Sequence, residues 1–441
     1  MTGDNLEERP GQGHGDGLLQ SVSALIARAR GTKFLRDAGT MTGAQFLVAI
    51  LSFVQGIIVA AWLGPEQYGV ALLIISVPRM LFSVLDAKTS AAAVKFISEF
   101  KAEDSADRAR AMCKLGYLVD MVIAGLTFGL VAVTAGWAEN NVAHGSGAAT
   151  LMIWYSAAFL PKSLVGTSQA LLSVNGNFKS MAILQIIAKL VGVVAVLALV
   201  LSGWGVAGVI YGRMIEMVFA GISLAILAGL VARDIWNGSW LRARLGSLRG
   251  YRRDIFRFIG FTELTELAGV LGKQGDVIIL GYFSGAEQVG FFGLAKRLTG
   301  VVSMLVQPLQ TVLYPRLAKS WATSDYVSLR RTIKRFALGI SGPLAVLVLL
   351  SLPLVGPFIR LLVGSEFEPA VPVAYVILTA AAATLACSWL RTLFHAMGAV
   401  RFLLINSTIV NVLMVIAYIF ASQAGDAMGI AWVHLASAVL F

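Results

Sequence analysis

Fourteen ionisable side chains stand inside or at the edge of long apolar segments of this 441-residue sequence. A charge within a bilayer is costly, and such residues usually mark a binding site, an ion pathway or an internal ion pair. Eight are basic and six are acidic, namely Arg79, Lys162, Lys189, Arg213, Lys273, Lys296, Arg297 and Arg391, with Asp86, Asp120, Glu216, Glu263, Glu266 and Asp276. These residues are the candidates for substrate binding and ion coupling.

Three charges in the seventh apolar segment have helical spacing. Glu266 and Lys273 are seven residues apart, and Asp276 follows three residues later, so all three share one face of a helix. They could line a transport pathway with a carboxylate for a coupling ion, or they could pair internally and neutralise the helix. The sequence leaves both interpretations open.

Two other positions are candidates for ion coupling or gating. Arg213 and Glu216 are three residues apart, a spacing that favours an internal ion pair over a role in transport. Asp86 ends the second apolar segment. His434 stands alone on an apolar stretch, where a hydrogen-bonded core histidine is expected.

Motifs for enzymatic chemistry are missing. The sequence has no G-x-x-x-x-G-K-[ST], no H-E-x-x-H, no paired cysteines and no nucleophile elbow. We therefore expect no ATP hydrolysis, no enzyme activity, no cofactor and no metal site.

The composition is that of a polytopic membrane protein. Hydrophobic residues make up 57% and charged residues only 13%, against about 25% in soluble domains. A span needs about 20 apolar residues. Twelve are predicted, near 40–63, 69–86, 114–136, 148–174, 180–202, 205–231, 258–282, 289–314, 334–356, 371–394, 402–421 and from 428.

The loop charges predict the orientation. The N-terminal tail and the loops after even-numbered spans hold 26 Lys and Arg residues, whereas the other loops hold only Arg360 and six acids. Because cytoplasmic loops collect Lys and Arg, the N-terminus is predicted to be cytoplasmic. This topology explains the net charge of +11 better than nucleic-acid binding does.

Two basic stretches are predicted to form amphipathic helices at the headgroup level. One covers residues 18–36, and the other covers 239–258, with seven arginines between 233 and 257. Such helices bind anionic lipids. A nucleic-acid patch is the alternative, which their juxtamembrane position disfavours.

The sequence contains an internal repeat. Gly64, Glu66, Gln67 and Gly69 recur as Gly285, Glu287, Gln288 and Gly290, at an offset of 221; Gly176 and Gly398 are 222 apart, and Gly205 and Gly429 are 224 apart. An offset of six spans predicts two parallel six-helix lobes.

The repeat divides the chain into four parts. We predict a cytoplasmic tail at 1–37, an N-lobe at 38–231, a basic linker at 232–257 and a C-lobe at 258–441. By comparison with span six, the twelfth helix is expected to be cut short at Phe441 or not to cross the bilayer fully.

Four segments resemble the polysaccharide transport (O-antigen flippase) family of the multidrug/oligosaccharidyl-lipid/polysaccharide exporter superfamily. They are AAWLGPEQYGVALLIIS (60–76), FSVLDAKTSAAAVKFISEF (82–100), QGDVIILGYFSGAEQVGFFGLAKRL (274–298) and PLQTVLYPRLAK (308–319). Their order matches over most of the chain. One departure is Asp86-Ala87-Lys88, where the family has Asp-Leu-Gly.

The resemblance implies an inner-membrane flippase. Two lobes would alternate access to a central cavity and move a polyprenyl-pyrophosphate-linked oligosaccharide to the outer leaflet, and polysaccharide polymerase machinery is a candidate partner. A cationic cavity suits such an anionic headgroup. Arg79, Lys162 and Lys189 are the first candidates to bind it, followed by Lys273, Arg297 and Arg391. Snorkelling to the headgroups is an alternative for Lys296, Arg297 and Arg391.

Two other functions remain alternatives. A cation-coupled multidrug exporter of the same superfamily would favour carboxylates in the N-lobe cavity. The predicted N-lobe spans instead hold four bases, Arg79, Lys162, Lys189 and Arg213, against three acids. A membrane glycosyltransferase would need an acidic cluster, for which Asp86 is the one candidate.

Overall fold

The computed structural model describes residues 33–87, 89–143, 147–236, 240–423 and 426–440, and these fold almost entirely into helices. The α-helices are α1 (Lys33–Leu85), α2 (Thr89–Ala102), α3 (Ala106–Asn141), α4 (Ala148–Ala157), α5 (Phe159–Val174), α6 (Phe178–Leu199), α7 (Gly205–Trp236), α8 (Arg252–Ala322), α9 (Tyr326–Phe336), α10 (Gly342–Leu362), α11 (Ala370–Ala386), α12 (Ser388–Ala396), α13 (Val400–Gln423) and α14 (Ala427–Leu440). Short π-helical turns join α6 to α7 and α9 to α10. The all-helical fold is as predicted.

Membrane-length apolar helices run through the described residues. Eight segments are long and apolar enough to span a bilayer, and some of them hold two of the predicted spans. The large side chains on their outer surface are apolar, for example Val133, Leu361 and Phe420. This surface suits lipid and identifies an integral membrane protein. The count of twelve spans stays a prediction.

The two longest helices, α1 and α8, are each broken at one glycine. Gly64 has φ 71° and ψ 174°, and Gly285 has φ 83° and ψ 175°. Glycine lacks the Cβ atom that makes a positive φ costly, so it is suited to both breaks. The breaks fall between the first and second and between the seventh and eighth predicted spans.

Backbone irregularities recur in the two halves of the chain. Gly64 and Gly285 are one matched pair, and Gly176 and Gly398 both have φ 73°. A third pair was not expected from the sequence: Asp104 and Ser324, 220 residues apart, have φ values of 54° and 53°. These matches support the internal repeat, in which α1–α7 correspond to α8–α14. The lobe boundaries stay a prediction.

Helix α1 packs along α8, so the two halves meet over a long contact. Within the first half α7 packs on α6 and α5, and within the second half α11 packs on α10 and α14. The main hydrophobic core draws on both halves, for example Leu73 and Phe159 with Phe292 and Tyr418. A second core lies under the linker.

The linker does not form the amphipathic α-helix predicted for 239–258. Residues Trp240–Arg242 and Leu245–Tyr251 form two 3₁₀ turns, and α8 begins at Arg252. Leu248 is buried, and the Trp240 ring stacks on Tyr117 of α3 at 4.6 Å. Trp240 and Leu248, which were expected to face lipid, therefore pack against the protein, whereas Leu241 is exposed. Most of the predicted helix at 18–36 lies outside the described residues.

Candidate functional site

A cavity of about 730 Å³ lies between α1 and α8, with one wall completed by α7. Its charged lining consists of four cations and one carboxylate: Arg79, Arg213, Lys296, Arg297 and Asp276. Polar side chains of Ser52, Ser76 and Gln274 lie among apolar ones. The cavity is therefore cationic, and it brings together residues more than 200 positions apart in the sequence.

Arg297 of α8 reaches across to α1. Its Nη1 donates to the backbone carbonyl of Ser52 at 2.8 Å, and its Nε donates to the hydroxyl of Tyr68 at 3.1 Å. The guanidinium passes over Gly56, where a side chain would overlap with it. The cation is thus held in place by neutral oxygens and keeps its full charge at the cavity wall.

Asp276 is completely buried behind Lys296. Its Oδ2 accepts a hydrogen bond from the Lys296 ammonium. The same oxygen accepts a second one from His434 Nε2, which is 3.0 Å away. Its Oδ1 accepts from the backbone N–H of Val277 at 2.8 Å. His434 also contacts the hydroxyl of Tyr418 at 3.2 Å. The one carboxylate among the described lining residues is therefore already neutralised. His434 is hydrogen-bonded, as expected.

Arg79 and Arg213 contribute the least compensated charges. Both line the cavity, and neither forms a hydrogen bond or an ion pair within the part of the chain that the structure describes. The predicted pairing of Arg213 with Glu216 is wrong, because Glu216 pairs with Lys189 instead. An unpaired guanidinium inside a membrane protein requires water or an anionic ligand.

Lys189 lies outside the cavity. Its ammonium donates to Gln55 Oε1 at 2.8 Å and lies 3.1 Å from Glu216 Oε2. The Lys189 side chain is only 4% exposed. This arrangement is an internal ion pair that joins α6, α7 and α1, so both of its charges are compensated.

The remaining candidates are dispersed. The Lys162 ammonium lies 5.4 Å from the Phe159 ring centroid and 6.0 Å from that of Phe82, and it does not line the cavity. Asp86 follows the end of α1, and Arg391 is exposed on α12. The side chains of Glu266 and Lys273 lie outside the described ones.

Asp276, the described member of the predicted strip on α8, has contacts outside that strip, and the strip stays a prediction because the other two side chains lie outside the described ones. Its partners Lys296 and His434 come from other parts of the sequence. Lys296 and Arg297 line the cavity, where the sequence had offered snorkelling to the headgroups as an alternative.

Sequence reasoning missed the neutral polar residues of this region. Gln55 holds Lys189, Tyr68 holds Arg297, and Gln274 lines the cavity and donates to Ser83 at 3.1 Å. An amide inside an apolar span was an available signal for Gln55 and Gln274. The role of Tyr68 had no such signal, because its partner is 229 residues away.

The family model described as "Polysaccharide biosynthesis protein" matches residues 34–321, well over half of the chain. The chain belongs to this family. The match covers α1 to nearly all of α8 and therefore includes every cationic residue of the cavity wall.

Two curated relatives carry names from surface-polysaccharide assembly. The teichuronic acid biosynthesis protein TuaB of Bacillus subtilis (strain 168) is 25% identical over 225 residues, which are 50% of this chain and 45% of that protein. A putative O-antigen transporter of Escherichia coli (strain K12) is 25% identical over 160 residues, or 35% of this chain and 37% of that protein. The matched region spans less than half the length of either relative.

Solved structures share the fold over nearly the whole chain. An inward-facing multidrug resistance MATE family transporter of the MOP superfamily has a TM-score of 0.68 at 16% identity, covering 89% of this chain and 92% of that one. The lipid II flippase MurJ in an inward closed conformation also has a TM-score of 0.68, at 14% identity, covering 91% and 85%. The chain therefore shares the fold of these two solved transporters, as the sequence resemblance implied.

Proposed function

We propose that this chain is a flippase that moves a polyprenyl-pyrophosphate-linked oligosaccharide from the cytoplasmic to the outer leaflet of a bacterial inner membrane. The transported lipid would then enter surface polysaccharide assembly, and a polysaccharide polymerase would be a natural partner. The observation that carries the proposal is the pair of uncompensated guanidinium groups, Arg79 and Arg213, in a cavity between the two halves.

The charge balance of the cavity supports an anionic substrate. Four cations line the cavity. Asp276 is the one carboxylate among the described lining residues, and it already contacts Lys296 and His434. A planar guanidinium binds phosphate oxygens through two parallel hydrogen bonds, which makes Arg suited to a pyrophosphate group. A drug exporter that binds organic cations would need an available carboxylate at this place.

The neutral part of the lining suits the rest of such a substrate. Hydroxyl and amide groups of Ser52, Ser76 and Gln274 can bind sugar hydroxyls, and apolar side chains lie between them. The polyprenyl tail would remain in the bilayer, where it costs no desolvation. The names of the curated relatives, which refer to teichuronic acid and O-antigen, support a saccharide substrate.

The two copies of the repeated motif offer a means of alternating access. A Cβ on Gly69 would lie 1.7 Å from the carbonyl oxygen of Ala286, and one on Gly290 would lie 2.0 Å from that of Pro65. The backbones of α1 and α8 therefore touch just after their breaks. By the loop charges this contact is at the outer end, so we propose that it closes the cavity on that side.

The exposed arginines of the linker are the proposed lipid contacts on the cytoplasmic side. Arg242, Arg244 and Arg249 are exposed, and α3 holds the linker through Lys114, which donates to the Ala243 carbonyl at 3.1 Å. We propose that these arginines bind anionic lipid headgroups, whose negative surface potential attracts basic segments next to a membrane.

Binding of a short substrate analogue tests the proposal. Farnesyl pyrophosphate carries the proposed charged group, and farnesol is its neutral control. We expect the purified chain to bind the pyrophosphate and not the alcohol, and Arg79→Ala or Arg213→Ala to weaken binding about tenfold each. Arg335→Ala, on the exposed face of α9, is the control and should leave binding unchanged. Equal binding of both ligands, or tighter binding of a cationic drug such as ethidium, would overturn the proposal.

A further inference from the structure

The Lys296 side chain contacts a buried carboxylate and also lines the cavity. One side of its ammonium contacts the carboxylate of Asp276, which is completely buried, while its side chain remains 36% exposed and lines the cavity. Lys189, which pairs with Glu216, is by contrast only 4% exposed and does not line the cavity. The Lys296 side chain therefore lines the cavity while its ammonium contacts Asp276 behind it.

Asp276 is itself fixed in place by three donors. In addition to Lys296, it accepts hydrogen bonds from His434 Nε2 at 3.0 Å and from the backbone N–H of Val277 at 2.8 Å. The Tyr418 hydroxyl donates to the carbonyl oxygen of Gly272 at 3.2 Å and so can accept from His434. The carboxylate would thus keep two donors if Lys296 turned towards the cavity.

A carboxylate and a phosphate are ligands of the same kind for an ammonium group, since both offer charged oxygen acceptors. An anionic headgroup in the cavity would therefore compete with Asp276 for Lys296. Transport requires binding that is strong enough for the substrate to enter and weak enough for it to leave, as in ion channels. A carboxylate that is fixed in the protein and competes with the substrate would keep binding weak enough for release.

We propose that Asp276 is a positioning residue that limits the affinity of the cavity for an anionic headgroup by competing for Lys296. The proposal rests on the function proposed above and adds a specific role to it. When the cavity is empty, Asp276 neutralises Lys296. When a phosphate group binds, Lys296 turns towards it and His434 keeps Asp276 in place. On release, Asp276 takes Lys296 back.

The test measures binding and export in the same variants. In Asp276→Asn the competing charge is gone, so farnesyl pyrophosphate should bind about tenfold more tightly to the purified chain. Export in cells should nevertheless fall, because release becomes slow. Glu368→Gln is the matched control, since it also replaces a carboxylate in an ion pair, with Arg360, but lies outside the cavity. It should change neither quantity.

Two further variants separate competition from a structural role. Adding Lys296→Gln to Asp276→Asn should cancel the gain in affinity, because the gain acts through Lys296. His434→Phe should weaken binding several-fold, since Asp276 would then hold Lys296 more firmly. His434→Phe also provides the test if Asp276→Asn does not fold.

The outcomes distinguish this inference from the proposed function. Unchanged or weaker binding by Asp276→Asn, or unchanged or tighter binding by His434→Phe, would overturn the competition, and loss of affinity in Arg79→Ala would leave the flippase proposal intact. Failure of the wild-type chain to bind the pyrophosphate would overturn both.

Discussion

The guanidinium of Arg297 occupies the space above Gly56: a Cβ on that glycine would lie 1.1 Å from Nη1 and 1.7 Å from the central carbon. The glycine in α1 thus allows a cation from α8 to enter the cavity wall. The two residues are 241 positions apart in the sequence (297 − 56), so the sequence alone does not indicate that they are in contact.

Gly56→Ala should displace Arg297. The added methyl group cannot share the space with the guanidinium, which would lose its hydrogen bonds to Ser52 and Tyr68. Because a cation moved by about 1 Å loses much of its effect at a binding site, we expect export to fall at least tenfold. Gly129→Ala, at a helical position with nothing within 4 Å, is the control. Normal export by Gly56→Ala would show that Arg297 is dispensable.

Lys189→Met should destabilise the protein more than it affects the site. It leaves Glu216 without the cation that is 3.1 Å away, a loss of about 3 kcal/mol for a buried pair. Adding Glu216→Leu removes the unpaired charge and should restore most of the thermal stability. We expect the double variant to export normally, since neither residue lines the cavity.

The same double variant tests the role that the sequence suggested for Lys189. If it regains thermal stability but exports nothing, Lys189 contacts the substrate in some state of the transport cycle. Lys189→Arg would then be expected to retain more export than Lys189→Met, because it keeps the charge.

Gly69→Ala should hold the outer end of the cavity open. A methyl group there would meet the backbone oxygen of Ala286 and force α1 and α8 apart. Access can be measured with Ser76→Cys, a cavity-lining position, in a chain whose native Cys113 and Cys387 are replaced. A membrane-impermeant maleimide added to whole cells should label this cysteine faster in the Gly69→Ala background.

The control for this experiment is Gly229→Ala, where a methyl group meets nothing within 4 Å. Labelling should match that of the unsubstituted background. If Gly69→Ala also left the labelling unchanged, the glycine contact would not be the outer closure.

The helices were predictable because the bilayer fixes their length and polarity. Predicted spans such as 114–136 and 205–231 lie within α3 and α7. The repeat was visible because backbone breaks need glycine, and the matched pair Gly64 and Gly285 marks both breaks. The linker was mispredicted because an apolar and basic pattern does not specify a helix. Gly246 and Gly250 weaken one, and contacts with α3 decide the outcome.

The site was predictable in its residue types but not in its pairs. Arg79 and Arg297 were selected because charges in spans are costly, and both line the cavity. Arg213 was assigned to Glu216 by local spacing, yet Glu216 pairs with Lys189, 27 residues away. Helical spacing permits a contact without excluding a better partner from another helix. Long-range choices of this kind depend on packing, which one sequence does not reveal.

The leaflet distribution of the lipid-linked oligosaccharide in living cells tests the central claim most directly. In cells that lack this gene, we predict that the complete intermediate accumulates on the cytoplasmic side and is inaccessible to a probe added outside. The wild-type gene should restore outside accessibility, whereas a gene carrying Arg79→Ala and Arg213→Ala, expressed at the same level, should not. An unchanged distribution in cells without the gene would contradict the flippase account and favour export of another class of substrate.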